Sequence, residues 1–306
     1  MDKESTRHFY LTPTAYEIFD VLTLDPAEIA KVIRLLESEL PLDVECLLRD
    51  ATAREVGLSR TVMETIIKNV EYARQNSIPM CQDTGTLIFF LEGGFDIRET
   101  EEEIGEAVAI ATEEAPLRPN TVNPFTREND GRNLGRGNPL IHFAAGSDSD
   151  GLPRIHIIAK GAGSENASRT CMLDPDQGLE GVKRIVVDAV RGAGSKPCPP
   201  IFVGVGIGGS HDHSALLAKK ALLMDMRERS RDPMVASLEA DLLEEINRLG
   251  IGPMGFGGKT TALGVRAEWA HCHTASLPVS VCIQCWALRR VSCTVKNGRL
   301  TVDGHA

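Results

Sequence analysis

The segment Cys81-Gln82-Asp83-Thr84-Gly85-Thr86 puts a thiol, an amide, an acid and two hydroxyls into one short stretch. Pro79 stands just before it and an apolar, strand-like run begins at Leu87, so the segment reads as the turn at the mouth of a strand. Turns of this composition commonly do no more than bond nearby backbone amides. A site needs partners from elsewhere in the chain, and two further cysteines offer them. Cys198 is flanked by Pro197, Pro199 and Pro200, which restrict the backbone on both sides and bias each residue before a proline toward extended conformations. A cysteine that is only a buried hydrophobe gains nothing from such bracing, whereas a ligand whose sulfur must stay put does. Cys285 ends another apolar run, just before Trp286. Three separated, braced thiols are too few to close a tetrahedral site and suit a cluster with one iron left without a protein ligand.

Competing chemistries are also written in the sequence. The segment "GIGPMGFGGKTTALG" looks like a phosphate loop, but the motif needs a glycine where Pro253 stands, which excludes ATP or GTP there. Gly204, Gly206 and Gly209 satisfy the dinucleotide fingerprint after a strand and before a helix. A dinucleotide fold next requires a strand ending in an acid, and Asp225 has no strand to carry it, so a nicotinamide-dependent oxidoreductase stays as a weaker alternative. Cys282 and Cys285, with His271 and His273 upstream, have zinc-like spacing. Residues three apart on a strand face opposite ways, so both thiols reach one metal only if the strand breaks between them.

The elements that must position these residues alternate between helix and strand. A chain of 306 residues with 42% apolar and 25% charged content can bury a sizeable core. Its net charge of −10 argues against nucleic acid or an anionic membrane as partner, and obliges any anionic substrate to find locally placed cations. The start of the chain is charged and lacks the apolar core of a signal peptide, and no run is long enough to span a membrane, so a cytoplasmic location with eight reduced cysteines is expected. Asp25 caps an expected helix with Pro26 at its first position; a second helix closes at Gly57 and a third opens with Ser59 as cap. Strands are expected near 87–91, 139–144 and 154–160, separated by an acidic helix and an Asn-, Gly- and Arg-rich loop at 120–137. Helices near 177–192 and 234–249 and a strand-rich C-terminal part follow, with a hairpin turn around Asn297. The fold class expected is α+β, a mixed α/β arrangement in one catalytic domain over 1–306: a mainly helical part at 1–78, then a mixed body at 79–306 with the cluster between lobes.

Together, "CQDTGT", "KGAGSEN", "CPPIFVGVGIGG", "LLAKKALL", "GPMGFGGKTTALGV" and the Cys285-Trp286 pair resemble the class I (iron–sulfur) fumarate hydratases, specifically the α subunit of the two-subunit form. These blocks run in the family's order from about residue 80 to 290. L-tartrate dehydratase α subunits share several of them, but "KGAGSEN" and "GGKTT" favour fumarate. The resemblance implies a hydro-lyase of tricarboxylic-acid-cycle type, interconverting fumarate and malate. It further implies a [4Fe–4S] cluster held by Cys81, Cys198 and Cys285, whose open iron acts as a Lewis acid.

By the same resemblance, Gln82 and Asp83 face the substrate, Arg118 contacts a substrate carboxylate and His273 stands beside the active site. Asp83 is the expected proton-transfer or water-orienting group, paired with His273; Gly163 offers a backbone N–H, and Lys259 is a further substrate-binding candidate. The chain departs from the family at Ala162, where a third glycine is more common, and at His211 and His213, which read as local features of a helix start. Single-chain members carry a further C-terminal domain with more substrate-binding residues. A separate β subunit, an active site at the α–β boundary and a higher-order oligomer are therefore expected.

Overall fold

In the computed structural model, the described residues are 22–144, 151–296 and 298–303. Helix α1 (Pro26–Ser38) starts as its sequence requires: the Asp25 side chain accepts the Ala27 N–H, and Ile29, Val32, Ile33 and Leu36 are buried at helical spacing. Helices α2 (Leu42–Arg54) and α3 (Gly57–Asn76) follow. Here the expected boundary is corrected, because Gly57 opens α3 rather than closing α2. Ser59 does not cap α3, since its hydroxyl donates to the Gly257 carbonyl at 2.6 Å, a tertiary bond that no local pattern announces.

The mixed α+β body then unfolds as β1 (Thr86–Glu92), α4 (Ile97–Glu114), β2 (Leu140–Ala144), β3 (Arg154–Lys160), the short α5 (Ala162–Glu165) and β4 (Arg169–Leu173). After these come α6 (Gly178–Ala193), β5 (Ile201–Gly208), α7 (His211–Ala221), α8 (Pro233–Arg248), β6 (Ala262–Ala270), β7 (Leu277–Gln284), β8 (Arg290–Lys296) and β9 (Arg299–Asp303). Strand β4 was not expected, being short and polar enough to pass for loop. The β8–β9 hairpin pairs Lys296 with Arg299, although Asn297 itself lies outside the described residues.

Two sheets result, one ordered β2-β1-β3-β8-β9 and the other β4-β7-β5-β6. In β1, Leu87, Phe89 and Leu91 pack with α1 and α4, while Ile88 and Phe90 join α2, α3, α7 and the second sheet. A strand buried on both faces explains why its sequence is an unbroken apolar run. Helices α6 and α8 cover the far face of the second sheet through Val186, Val190, Leu238 and Leu242. Helix α7 lies so close to β5 that a Cβ on Gly204 would stand 2.1 Å from the Ala218 carbonyl oxygen, and one on Gly206 1.9 Å from that of Ser214. Gly204 and Gly206, two of the three glycines of the weaker dinucleotide alternative, therefore serve helix-to-strand packing. Among the described residues no helix is long and apolar enough to cross a membrane.

Candidate active site

Strand register brings the distant motifs to one place. Thr86 at the start of β1 pairs with Lys160 at the end of β3, so the Cys81–Gly85 turn meets the Gly161–Glu165 loop. Phe202 near the start of β5 pairs with Gln284 at the end of β7, which brings Cys198 toward Cys285. The two junctions are stitched together by buried polar groups. Lys160 Nζ donates to the Ile283 carbonyl at 2.6 Å and to Ser164 Oγ at 2.9 Å, and Gln284 Nε2 donates to the Ala159 carbonyl at 3.1 Å. Gly85, at φ +77, must be glycine, because a Cβ there would lie 2.8 Å from the Lys160 backbone.

Cys198 adopts φ +54, in the left-handed region, instead of the extended conformation that the following proline favours. That conformation costs a non-glycine residue roughly 1–2 kcal/mol and persists where the surroundings over-determine it. They do so here: the Cys198 N–H bonds the Ser195 carbonyl at 3.1 Å, and the Trp286 N–H bonds the Cys198 carbonyl at 3.4 Å. The Met254 N–H closes the same turn on the Pro199 carbonyl at 2.7 Å. Burial pushes both the Cys198 and Cys285 thiols up, and each is raised further by the neighbouring Cys81. All three are free thiols. Cys198 and Cys285 each lie within the influence of Cys81, and the Trp286–Cys198 backbone bond holds their two turns together; three thiols on turns fixed in this way are a donor set whose chemistry fits an iron–sulfur cluster. Among the described residues no three His, Cys, Asp or Glu side chains close on a single metal ion. Cys282, the weaker zinc candidate paired by spacing with Cys285, is buried within β7, where Ser168 Oγ donates to its sulfur at 3.8 Å.

Asp83 is held in the same turn. Its Oδ2 accepts the Ala162 N–H at 2.9 Å and its Oδ1 the Gly85 N–H at 3.0 Å. Gln82 beside it is exposed. The Arg118 carbonyl accepts from Thr84 Oγ1 at 3.4 Å and Asn133 Nδ2 at 3.1 Å, which fixes the Arg118 backbone beside the turn and leaves its side chain exposed. A cleft of about 910 Å³ opens along the adjoining loop, lined by Thr86, Asn120, Phe125 and Arg136. Gly163 is exposed in α5, one residue from the Ala162 N–H that binds Asp83. Lys259 is exposed just before β6, whose first residues pair with the start of β5 at the thiol end of the sheet. Its backbone N–H and that of Thr260 donate to buried Glu55, at 2.8 Å and 2.6 Å. A carboxylate thus occupies the glycine loop that resembled a phosphate cradle.

His273 is not brought to Asp83. It lies in the exposed connection between β6 and β7, and its Nδ1 accepts the Ala275 N–H at 3.1 Å. The whole of β7, eight residues from Leu277 to Gln284, separates it from Cys285, a span of roughly 25 Å. The expected Asp83–His273 pair does not form within this chain, because residues twelve apart in sequence sit at opposite ends of one strand. His211 and His213 open α7 at that far end, as expected of local helix-start residues.

Sequence reasoning missed the groups behind the site. Arg289 is completely buried; its Nη2 donates to the Asp83 carbonyl at 2.9 Å and its Nη1 to Glu37 of α1. Burial pushes the Glu37 carboxyl up to about 7, against the pull of Arg289. The guanidinium is itself held above its ordinary value, burial being outweighed by Glu37, Cys285 and Cys81. Glu37 and Arg289 are separated by 252 residues, so only an expectation of tertiary contact would have joined them.

Residues 27–294 match the family model described as fumarate hydratase (Fumerase). A putative L(+)-tartrate dehydratase subunit alpha of Methanocaldococcus jannaschii is 50% identical over 263 residues, covering 84% of this chain and 92% of that protein. The L(+)-tartrate dehydratase subunit alpha of Escherichia coli K12 is 34% identical over 266 residues, covering 86% and 88%. A putative fumarate hydratase class I of Geobacillus stearothermophilus is 37% identical over 266 residues, covering 83% of this chain and 51% of that longer protein. A match that takes in the Cys81 turn, the glycine loop and both later cysteines leaves a single conclusion: this chain belongs to the fumarate hydratase family.

Proposed function

We propose that this chain is the α subunit of an iron–sulfur hydro-lyase that adds water to fumarate to give malate and reverses the reaction. The observation that carries the reading is that backbone bonds hold the Cys198 turn against the Cys285-Trp286 segment, while buried Arg289, four residues after Cys285, grips the Cys81–Asp83 turn. In this reading the three thiolates hold a [4Fe–4S] cluster, which when bound supplies a Lewis acid at the iron without a protein ligand. The chain's own residues do the rest. Arg118, whose guanidinium makes no ion pair or hydrogen bond among the described residues, is available to a substrate carboxylate. Gln82 and the backbone at Gly163 offer further donors, and Lys259 a second cation at the thiol end of the smaller sheet.

Removing a proton next to a carboxylate needs a fixed base and a neutralised neighbour. Asp83 meets the first need. Each of its oxygens is oriented by one backbone N–H and keeps a lone pair for a substrate or water proton. His273 is left out of this chain's own site. Relatives named subunit alpha support a separate β subunit that completes the pocket.

L(+)-tartrate dehydration is a second reading, favoured by the relative that is 50% identical. Anaerobic purification with iron and sulfide analysis, followed by assay with a β subunit, tests the proposal. Near four irons per chain, with malate or fumarate turned over faster than L-tartrate, supports the first reading. A preference for L-tartrate replaces it with the second, and a folded chain that takes up no iron removes both.

A further inference from the structure

Behind the thiol site the chain keeps a buried cation. Arg289 is 1% exposed and sits under two of the three thiol-bearing turns. Its Nη2 reaches the Asp83 carbonyl at 2.9 Å, two residues after Cys81. Its N–H reaches the Ala287 carbonyl at 2.8 Å, the oxygen that Cys285 Sγ approaches at 3.7 Å. The guanidinium charge is the strongest influence opposing burial at the Cys285 thiol, and Cys81 and Cys285 both act back on it. One carboxylate, Glu37, faces it from α1, and its Oε1, like Arg289 Nε, lacks a hydrogen-bond partner among the described residues. Replacing a buried ion pair by apolar groups is often neutral or stabilising, so stability alone does not account for this pair. Its position does: charges removed from water act on one another more strongly than they would at the surface.

We propose that Arg289 is the buried counter-charge of the thiol site, a positioning residue that fixes the Cys81–Asp83 turn and raises the reduction potential of the cluster held there, with Glu37 tempering it. The inference rests on the reading that these thiols hold a cluster. Adding an electron makes the cluster more negative, so a fixed cation beside it favours the reduced state and a fixed anion opposes it. Arg289 and Glu37 therefore act with opposite signs. A purely structural role would not produce that.

The test is a mediated dithionite titration, followed by electron paramagnetic resonance, of the full chain purified anaerobically at pH 8. Arg289→Met is expected to lower the reduction equilibrium at least tenfold, about 59 mV for a one-electron couple. Arg289→Lys, which keeps the charge and loses the fork to Asp83, should recover most of that shift. Glu37→Gln should move the potential the other way. Should Arg289→Met prove insoluble, an upward displacement of the potential in Glu37→Gln, with Arg289→Lys staying close to wild type, decides the matter. Iron-replete variants with unchanged potentials, or with Glu37→Gln and the Arg289 variants shifting in the same direction, overturn the inference and leave the cluster reading standing. A wild-type chain without iron overturns the cluster reading itself.

Discussion

Asp83 Oδ2 accepts the N–H of Ala162 at 2.9 Å, a bond across 79 residues of sequence that ties the acid of the first cysteine turn to the glycine loop after β3. Since Asp83 Oδ1 is taken by Gly85 N–H at 3.0 Å, the carboxylate has one orientation relative to both loops. An asparagine there would turn an NH2 toward one of those two donors. Asp83→Asn should therefore lose roughly 10²–10⁴-fold in turnover with the β subunit present, while iron per chain stays at the wild-type value. Loss of iron together with activity would reassign Asp83 to holding the cluster turn.

The three thiols should not tolerate replacement equally with their neighbours. Cys81→Ser, Cys198→Ser and Cys285→Ser are each expected to remove most of the bound iron, because a hydroxyl is a poor substitute for a thiolate on iron. Cys282→Ala serves as the control, since Cys282 is buried among β7 and Ser168 and should leave iron content near normal. Iron and sulfide analysis of the four anaerobically purified proteins reads the result.

The glycines of β5 make a prediction about stability. A Cβ at Gly206 would stand 1.9 Å from the Ser214 carbonyl oxygen and 2.6 Å from the Ala218 nitrogen. Gly206→Ala should destabilise by about 1–3 kcal/mol or more, as overpacked sites do. Gly105→Ala, inside α4 with nothing within 4 Å of the added atom, should gain about 0.5–1 kcal/mol. Denaturant midpoints of the two variants against wild type provide the comparison, and a harmless Gly206→Ala would return those glycines to a ligand-binding role.

Glu37 should make stability depend on pH in a defined direction. Its carboxyl is raised from an ordinary 4.5 to about 7, chiefly by burial, so the fold favours its protonated form. The stabilisation is complete below the unfolded value and is lost as pH rises through the folded one. At about 1.36 kcal/mol per unit, the loss between pH 4.5 and 8 is on the order of 3 kcal/mol. Urea denaturation under nitrogen should show wild type losing ground to Glu37→Gln over this range. A flat difference would mean that Arg289 keeps Glu37 ionised throughout.

Much of this chain was legible before any coordinates. The Asp25 cap, the spacing of Ile29, Val32, Ile33 and Leu36, the apolar run of β1 and the acidic face of α4 follow from local propensity and periodicity, which act over a few residues. The cysteine turns were legible too, since proline and glycine punctuate them. Local pattern was insufficient where a long-range bond competed with it. Ser59 resembles a cap but bonds Gly257, and Cys198 takes a left-handed conformation because Trp286 and Met254 grip its turn.

What the sequence by itself determined is therefore the list of elements and the chemistry of the donor set: three braced thiols and an acid in a turn. Only the tertiary structure decided which of these groups meet. Strand pairing is non-local, and its direction alone puts Cys285 with Cys198 while carrying His273, twelve residues earlier, to the opposite end of the same strand. Burial is decided in the same way. Nothing in the local sequence distinguishes Arg289 from a surface cation, and it becomes the charge behind the thiols because α1 supplies Glu37 from the other end of the chain.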